Sequence, residues 1–176
     1  MISYRITKYN PKFRNSSGAY QKNDWTSISD IGKIFEGKKL TKQEYLKIEN
    51  AYIQGIIAFM DSLHIASLCI SYLENDGTIP KSRKISCSKA MLETYKNLEV
   101  GKQLDKEEIT DIARLALREL LWCKLESERM FIHFGYDYYM YIGSSKIAPD
   151  FLIKKIQDED LFVEEFKSPY LEDDKE

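Results

Sequence analysis

His64 and His133 are the two histidines of the chain, and Cys69, Cys87 and Cys123 are its three cysteines. They are the residues best suited to metal binding or nucleophilic chemistry, and their spacing argues against both. There is no His-x-x-x-His and no Cys-x-x-Cys, so neither a metal nor a cofactor is expected. A Cys–His pair could activate a thiolate. His64 and Cys69, however, stand at opposite parity on one predicted strand and would point to opposite faces. Cys123 with His133 remains, but Cys123 follows a leucine-rich run, where a buried inert thiol is the ordinary outcome. No Gly-x-Gly-x-x-Gly or Gly-Lys-Ser/Thr loop is present, and Gly143-Ser144-Ser145-Lys146 reads as a turn before Pro149. The carboxylates Glu44, Glu49, Glu107, Glu108, Glu119, Glu126 and Glu128 read as helix-surface charges, and Arg118 with Glu119 as a solvated edge.

Two segments combine aromatic rings with carboxylates. Asp24-Trp25-Thr26-Ser27-Ile28-Ser29-Asp30-Ile31-Gly32 ends a long polar loop. Trp25 either closes over the core beside a capped helical turn or belongs to a contact loop. Phe134-Gly135-Tyr136-Asp137-Tyr138-Tyr139-Met140-Tyr141 reads as part of a hairpin. On a strand, Tyr138, Met140 and Ile142 share one face and Asp137, Tyr139 and Tyr141 the other. The second face suits either a covered aromatic ladder or a binding surface, since tyrosine offers large rigid area and one hydroxyl. Candidate partner contacts are therefore Trp25, Asp30, Tyr136, Asp137, Tyr139 and Tyr141. An enzyme with a dispersed site around His133 and the 135–141 hairpin is the alternative.

Positioning these residues requires several elements. Residues 2–9 alternate as a half-buried strand, and 10–27 form a long loop. Thr41-Lys42-Gln43-Glu44 is a capping box that opens a helix to about Ser62, apolar on much of its circumference. Ile65–Leu73 reads as a strand, Asn75-Asp76-Gly77 as a turn, and a short strand is expected around Ile85. A helix is expected from Lys89 to Leu98. Asp105-Lys106-Glu107-Glu108 caps another, which the apolar stripe extends to about Leu125. Strands at Met130–Phe134 and Asp137–Gly143, a helix at Asp150–Gln157 and a last strand at Leu161–Phe166 complete the reading. Periodicity assigns Tyr4, Tyr45, Tyr52, Tyr72 and Tyr138 to the core. The expected class is α+β, a single mixed or antiparallel sheet of about 4–6 strands with helices packed on it. Residues 1–170 read as one domain and 171–176 as an acidic frayed tail.

The 176 residues carry 26 Lys and Arg against 28 Asp and Glu, a net charge of −2. That average conceals a basic beginning (Arg5, Lys8, Lys12, Arg14, Lys22) and an end from Gln157 to Glu176 with nine acids and two bases. The basic residues lack an interleaved aromatic platform, so no nucleic-acid partner is expected. No apolar run approaches membrane length, Met1–Ile6 has no signal-like apolar core, and the cysteines suit a reducing compartment. A cytoplasmic protein, monomer or homodimer, is expected.

Asp24–Gly32, the Thr41 capping box, and Leu120-Leu121-Trp122-Cys123-Lys124-Leu125 leading into Phe134–Tyr141 resemble segments of small cytoplasmic bacterial proteins, among them immunity proteins of polymorphic-toxin systems. The resemblance covers about half the chain. It implies a small protein without catalysis that binds and blocks a cognate toxin domain, and it carries over no catalytic residue.

Overall fold

The computed structural model describes residues 1–84 and 86–171. The alternating N-terminus forms β1 (Ile2–Thr7), and after the long loop come two-residue strands β2 (Ile34–Phe35) and β3 (Lys38–Lys39). Then follow α1 (Lys42–Ser62), β4 (Ser67–Glu74), α2 (Lys81–Lys84), α3 (Lys89–Lys96), β5 (Gln103–Asp105) and α4 (Lys106–Leu117). The chain closes with β6 (Trp122–Glu126), β7 (Met130–Phe134), β8 (Met140–Ser144), α5 (Asp150–Gln157) and β9 (Phe162–Glu165). The fold is α+β. Its main sheet has seven strands in the order β5-β4-β6-β7-β8-β1-β9, and every neighbouring pair is antiparallel.

Both expected capping boxes form: Thr41 and Glu44 close the start of α1, and Asp105 and Glu108 that of α4. Each pair satisfies two amide donors that the first helical turn otherwise leaves open. The row Ile70–Leu125–Ile132–Ile142–Tyr4 crosses five strands and faces α1, α4 and α5 in one core.

Four expectations change. The strand count exceeds 4–6, because β5 is only three residues long and β6 lies inside a stretch read as helix. α4 stops at Leu117 rather than Leu125: Glu119 adopts a left-handed φ of 56° and turns the chain into β6. Tyr72 is not core but 41% exposed. Lys81–Lys84, in the segment expected to hold a short strand around Ile85, are helical, while Ile85 itself and residues 172–176 of the expected tail lie outside the described residues.

The opposite sheet face is covered as well. Its row Lys124–His133–Tyr141–Arg5–Glu164 also crosses five strands. Residues 166–170 cross this face as a strap: Phe166 lies under the Arg5 guanidinium at 4.1 Å, and Tyr170 packs on Tyr141 at 5.9 Å and Trp122 at 5.4 Å. The 10–27 loop is packed rather than free. Asn15 Oδ1 ties down Ser17 and Ala19, and the Tyr9 ring contacts Tyr20 and Tyr139. Basic beginning and acidic end meet here, Glu164 receiving two Arg5 hydrogen bonds and lying 3.6 Å from Arg14.

Candidate functional site

A tight turn sets the shape of the site. The residues flanking it pair across β7 and β8, and Tyr139 N–H donates to the Tyr136 carbonyl at 3.1 Å. Between them Asp137 and Tyr138 have φ of 56° and 63°, both left-handed as in a type I′ turn. Asp tolerates this region, but a bulky tyrosine does so only when its surroundings over-determine it. Here they do. Tyr9 Oη donates to the Asp137 carbonyl at 2.7 Å, and Tyr52 Oη to the Tyr138 carbonyl at 2.6 Å. The Tyr138 ring is buried among Trp25 (4.8 Å), Tyr52 (5.4 Å) and Tyr45 (5.8 Å). Tyr136 is left 83% exposed beside the exposed Asp137.

Next to this turn lies a cleft of about 370 Å³. One wall is the end of β4 and its turn, with Glu74 and Asp76; a second is the α4–β6 junction from Leu117 to Trp122; the third is Phe134 to Tyr138. Leu120, Leu121, Phe134 and Trp122 supply apolar surface, and Trp122 Nε1–H donates to the Phe134 carbonyl at 2.6 Å. Four carboxylates line the cleft: Glu74, Asp76, Glu119 and Asp137. Among the described residues, Glu119 alone of these has a cation at ion-pair distance, Arg83 at 3.8 Å. Glu74 accepts from the Tyr72 hydroxyl, and Asp76 and Asp137 have no side-chain partner among the described residues. Such a surface favours a cationic, partly apolar ligand. In a second cleft of about 330 Å³, Glu44 and Asp160 are already paired with Lys38 and Lys47.

The six sequence-predicted contacts divide sharply. Tyr136 and Asp137 flank the cleft. Trp25 is buried against Tyr138, with the Lys8 ammonium 4.1 Å above its ring. Burial brings Lys8 down to about 8 against the attraction of Asp24. Asp30 is a cap, accepting from the Thr26 and Ser27 amides and from Lys33. Burial opposes its charge, yet these bonds hold its carboxyl below the ordinary value. Tyr141 is buried under the strap, and Tyr139 is partly buried, accepting from Arg14 at 2.8 Å. Asp137 does not share a strand face with these two tyrosines, because β8 begins only at Met140.

His133 lines neither of these clefts. It is fully buried, stacked on Phe131 at 4.3 Å, with Nδ1 2.9 Å from Ser168 Oγ and Nε2 3.0 Å from Glu126. Nε2–H donating to the carboxylate and Nδ1 accepting from the hydroxyl satisfies both nitrogens. Cys123 is buried, which pushes its thiol up to about 12. No group of three or more His, Cys, Asp or Glu among the described residues is placed to hold a metal, and no helix among them is long and apolar enough to cross a membrane.

Burial lowers the His133 pKa from its ordinary 6.5; Glu126 opposes this and Lys124 reinforces it. Tyr141 and Tyr170 complete its titratable surroundings. The unfolded chain therefore binds this proton more readily, so the stabilisation is complete above pH 6.5 and is lost as pH falls through the folded value. Between pH 7.5 and 5 the urea midpoint of the native protein is expected to fall more steeply than that of His133→Gln. Parallel curves would show that His133 contributes nothing to acid sensitivity.

Sequence reasoning missed a buried ion pair behind the cleft. Glu49 of α1 and Arg118, just beyond α4, form two hydrogen bonds of 2.6 Å, and Arg114 lies 3.8 Å away. Arg118 also donates to the Ser86 carbonyl. Neither residue is a surface charge, contrary to expectation: Glu49 is 2% and Arg118 6% exposed. Leucines on the sequence neighbours of Arg118 were the one available signal. Comparisons with family models, with curated proteins and with solved structures find no match.

Proposed function

We propose that the chain is a non-catalytic protein-binding protein, an immunity protein that neutralises a bacterial toxin domain in the cytoplasm by direct contact. The observation that carries this reading is the cleft, where Asp76 and Asp137, without an ion-pair partner among the described residues, stand beside an exposed tyrosine on a turn held from below. Carboxylates select a basic partner and speed the encounter, while a central aromatic supplies the larger share of binding energy. Basic partners of this kind include nucleic-acid-cleaving toxins, whose phosphate sites a carboxylate surface can occupy. The earlier contact set narrows to Tyr136 and Asp137, joined by Asp76 and Glu74; Trp25, Asp30, Tyr139 and Tyr141 are read as supporting the fold.

The test is protection. The chain is produced in bacteria together with the product of the gene adjacent to its own, and survival and affinity are measured. Tyr136→Ala is expected to weaken binding by about 2 kcal/mol, roughly 30-fold. Asp137→Asn is expected to slow association and reduce its salt dependence. Absence of binding and protection by the native chain, or affinities within twofold for both variants, would overturn the reading.

A further inference from the structure

β5 lies alongside only Ser67–Cys69 of β4. Ile70 adds one further exchange, donating to the Lys102 carbonyl at 3.0 Å and accepting from Gly101 N–H at 2.8 Å. Gly101, at φ +92°, turns the chain away. From Ser71 to Glu74, β4 keeps β6 on its inner side, from Tyr72 onward, but no strand lies on its outer side among the described residues. A sheet edge in this state offers unpaired amides and carbonyls to any extended chain. Proteins usually blunt such edges with lysine, proline, a β-bulge or a covering loop. The pairing of β4 with β6 shifts register between Ile70 and Tyr72, but Tyr72-Leu73-Glu74 beyond the shift contains neither lysine nor proline, and Ser71, Tyr72 and Glu74 are exposed. The Tyr72 ring packs on Trp122 at 5.1 Å, and Glu74 leads directly into the cleft rim at Asn75 and Asp76.

We infer that the partner enters as an extended basic segment, adding a strand along the outer edge of β4 at residues 71–74 and turning cationic side chains toward the carboxylates of the adjoining cleft. This rests on the reading of the cleft as a contact surface and specifies how that surface is engaged. Backbone pairing supplies affinity in this mode and alternate side chains supply selectivity. Charge decides the occupant. A second copy docked on the same edge would bring two sets of Glu74, Asp76 and Asp137 together, and the chain's own acidic end has the same sign. A basic strand meets neither obstacle.

The experiment uses the full chain and labelled eight-residue peptides alternating lysine with valine or threonine. Partners in the set are the same peptide N-methylated at alternate residues, in both phases, and a version with glutamate in place of lysine. The lysine peptide is expected to bind and to slow amide exchange at 71–74. The glutamate version, and N-methylation in the phase facing β4, are expected to weaken binding about tenfold or more. The inference is overturned if the lysine peptide fails to bind, if both N-methylated peptides bind within twofold of it, or if a dimer already protects 71–74 without peptide. With the protein partner, binding that Tyr136→Ala weakens but that leaves exchange at 71–74 unchanged would overturn the strand addition alone. Absence of any binding to that partner would instead overturn the contact surface.

Discussion

Glu49→Ala is expected to cost about 3–5 kcal/mol of unfolding free energy, because it strands a buried guanidinium without its counter-charge. Arg118 is 6% exposed, and both of its bonds to Glu49 are 2.6 Å long. Burial works against the Arg118 charge, but the hydrogen bonds and field of Glu49 outweigh it and raise its pKa. A charge so enclosed cannot be rehydrated without opening the packing of α1 on α4. The double variant Glu49→Leu with Arg118→Met removes both charges and is expected to recover most of the loss. Urea unfolding at pH 7 provides the measurement. A loss under about 1 kcal/mol for Glu49→Ala would mean that water reaches the pair and screens it as at a surface. The pair also fixes the α4–β6 junction, which forms one wall of the cleft, so partner binding by Glu49→Ala should fall along with stability.

Tyr138 offers a sharper contrast. Tyr138→Ala is expected to cost about 3–5 kcal/mol, since it empties the space between Trp25, Tyr45 and Tyr52. Tyr138→Phe is expected to change stability by no more than about 1 kcal/mol, because among the described residues the buried Tyr138 hydroxyl makes no hydrogen bond of good geometry and interacts only with the neighbouring Tyr45 hydroxyl. Thermal or urea unfolding of the two variants separates ring from hydroxyl. Equal losses would mean that the phenol oxygen is satisfied after all and holds the cluster together. The alanine variant is also expected to loosen the turn, and so to lower affinity for the proposed partner without touching Tyr136 or Asp137.

What the sequence made visible was local. Alternation in residues 2–9, which gives the strand but not the cover on its second face, the Thr41–Glu44 and Asp105–Glu108 boxes, and the apolar faces carrying Tyr45 and Tyr52 each lie within a few residues of chain. The helix misread as reaching Leu125 shows the limit. Leu115, Leu117, Leu120 and Leu121 continue a helical stripe past the true end, and the residue that breaks it, Glu119, lacks the glycine that usually announces a left-handed stop. The period-two pattern of β6, with Cys123 and Leu125 buried between half-exposed Trp122, Lys124 and Glu126, was masked by that stripe. Asp137 and Tyr138 likewise form a hairpin turn without Gly or Asn. The cleft was beyond reach for another reason: its walls come from residues 74–76, 117–122 and 134–138, which only the sheet order brings together. Glu49 and Arg118 are 69 positions apart, so neither carries a local sign of the other.

The turn has a bearing on how recognition by this fold can diversify. Its two carbonyls are anchored by Tyr9 and Tyr52, and one ring, that of Tyr138, belongs to the core. The Tyr136 side chain is 83% exposed, and the backbone bond its residue gives the turn is open to almost any side chain. Position 137 is restricted by its left-handed backbone to Asp, Asn or Gly at low cost, so a single step from Asp to Asn removes a charge without altering the turn. If the turn contacts a partner as proposed, descendants facing altered partners could change the outward pair while Tyr9, Tyr52 and Tyr138 stay fixed, and drift in specificity need not be accompanied by drift in stability.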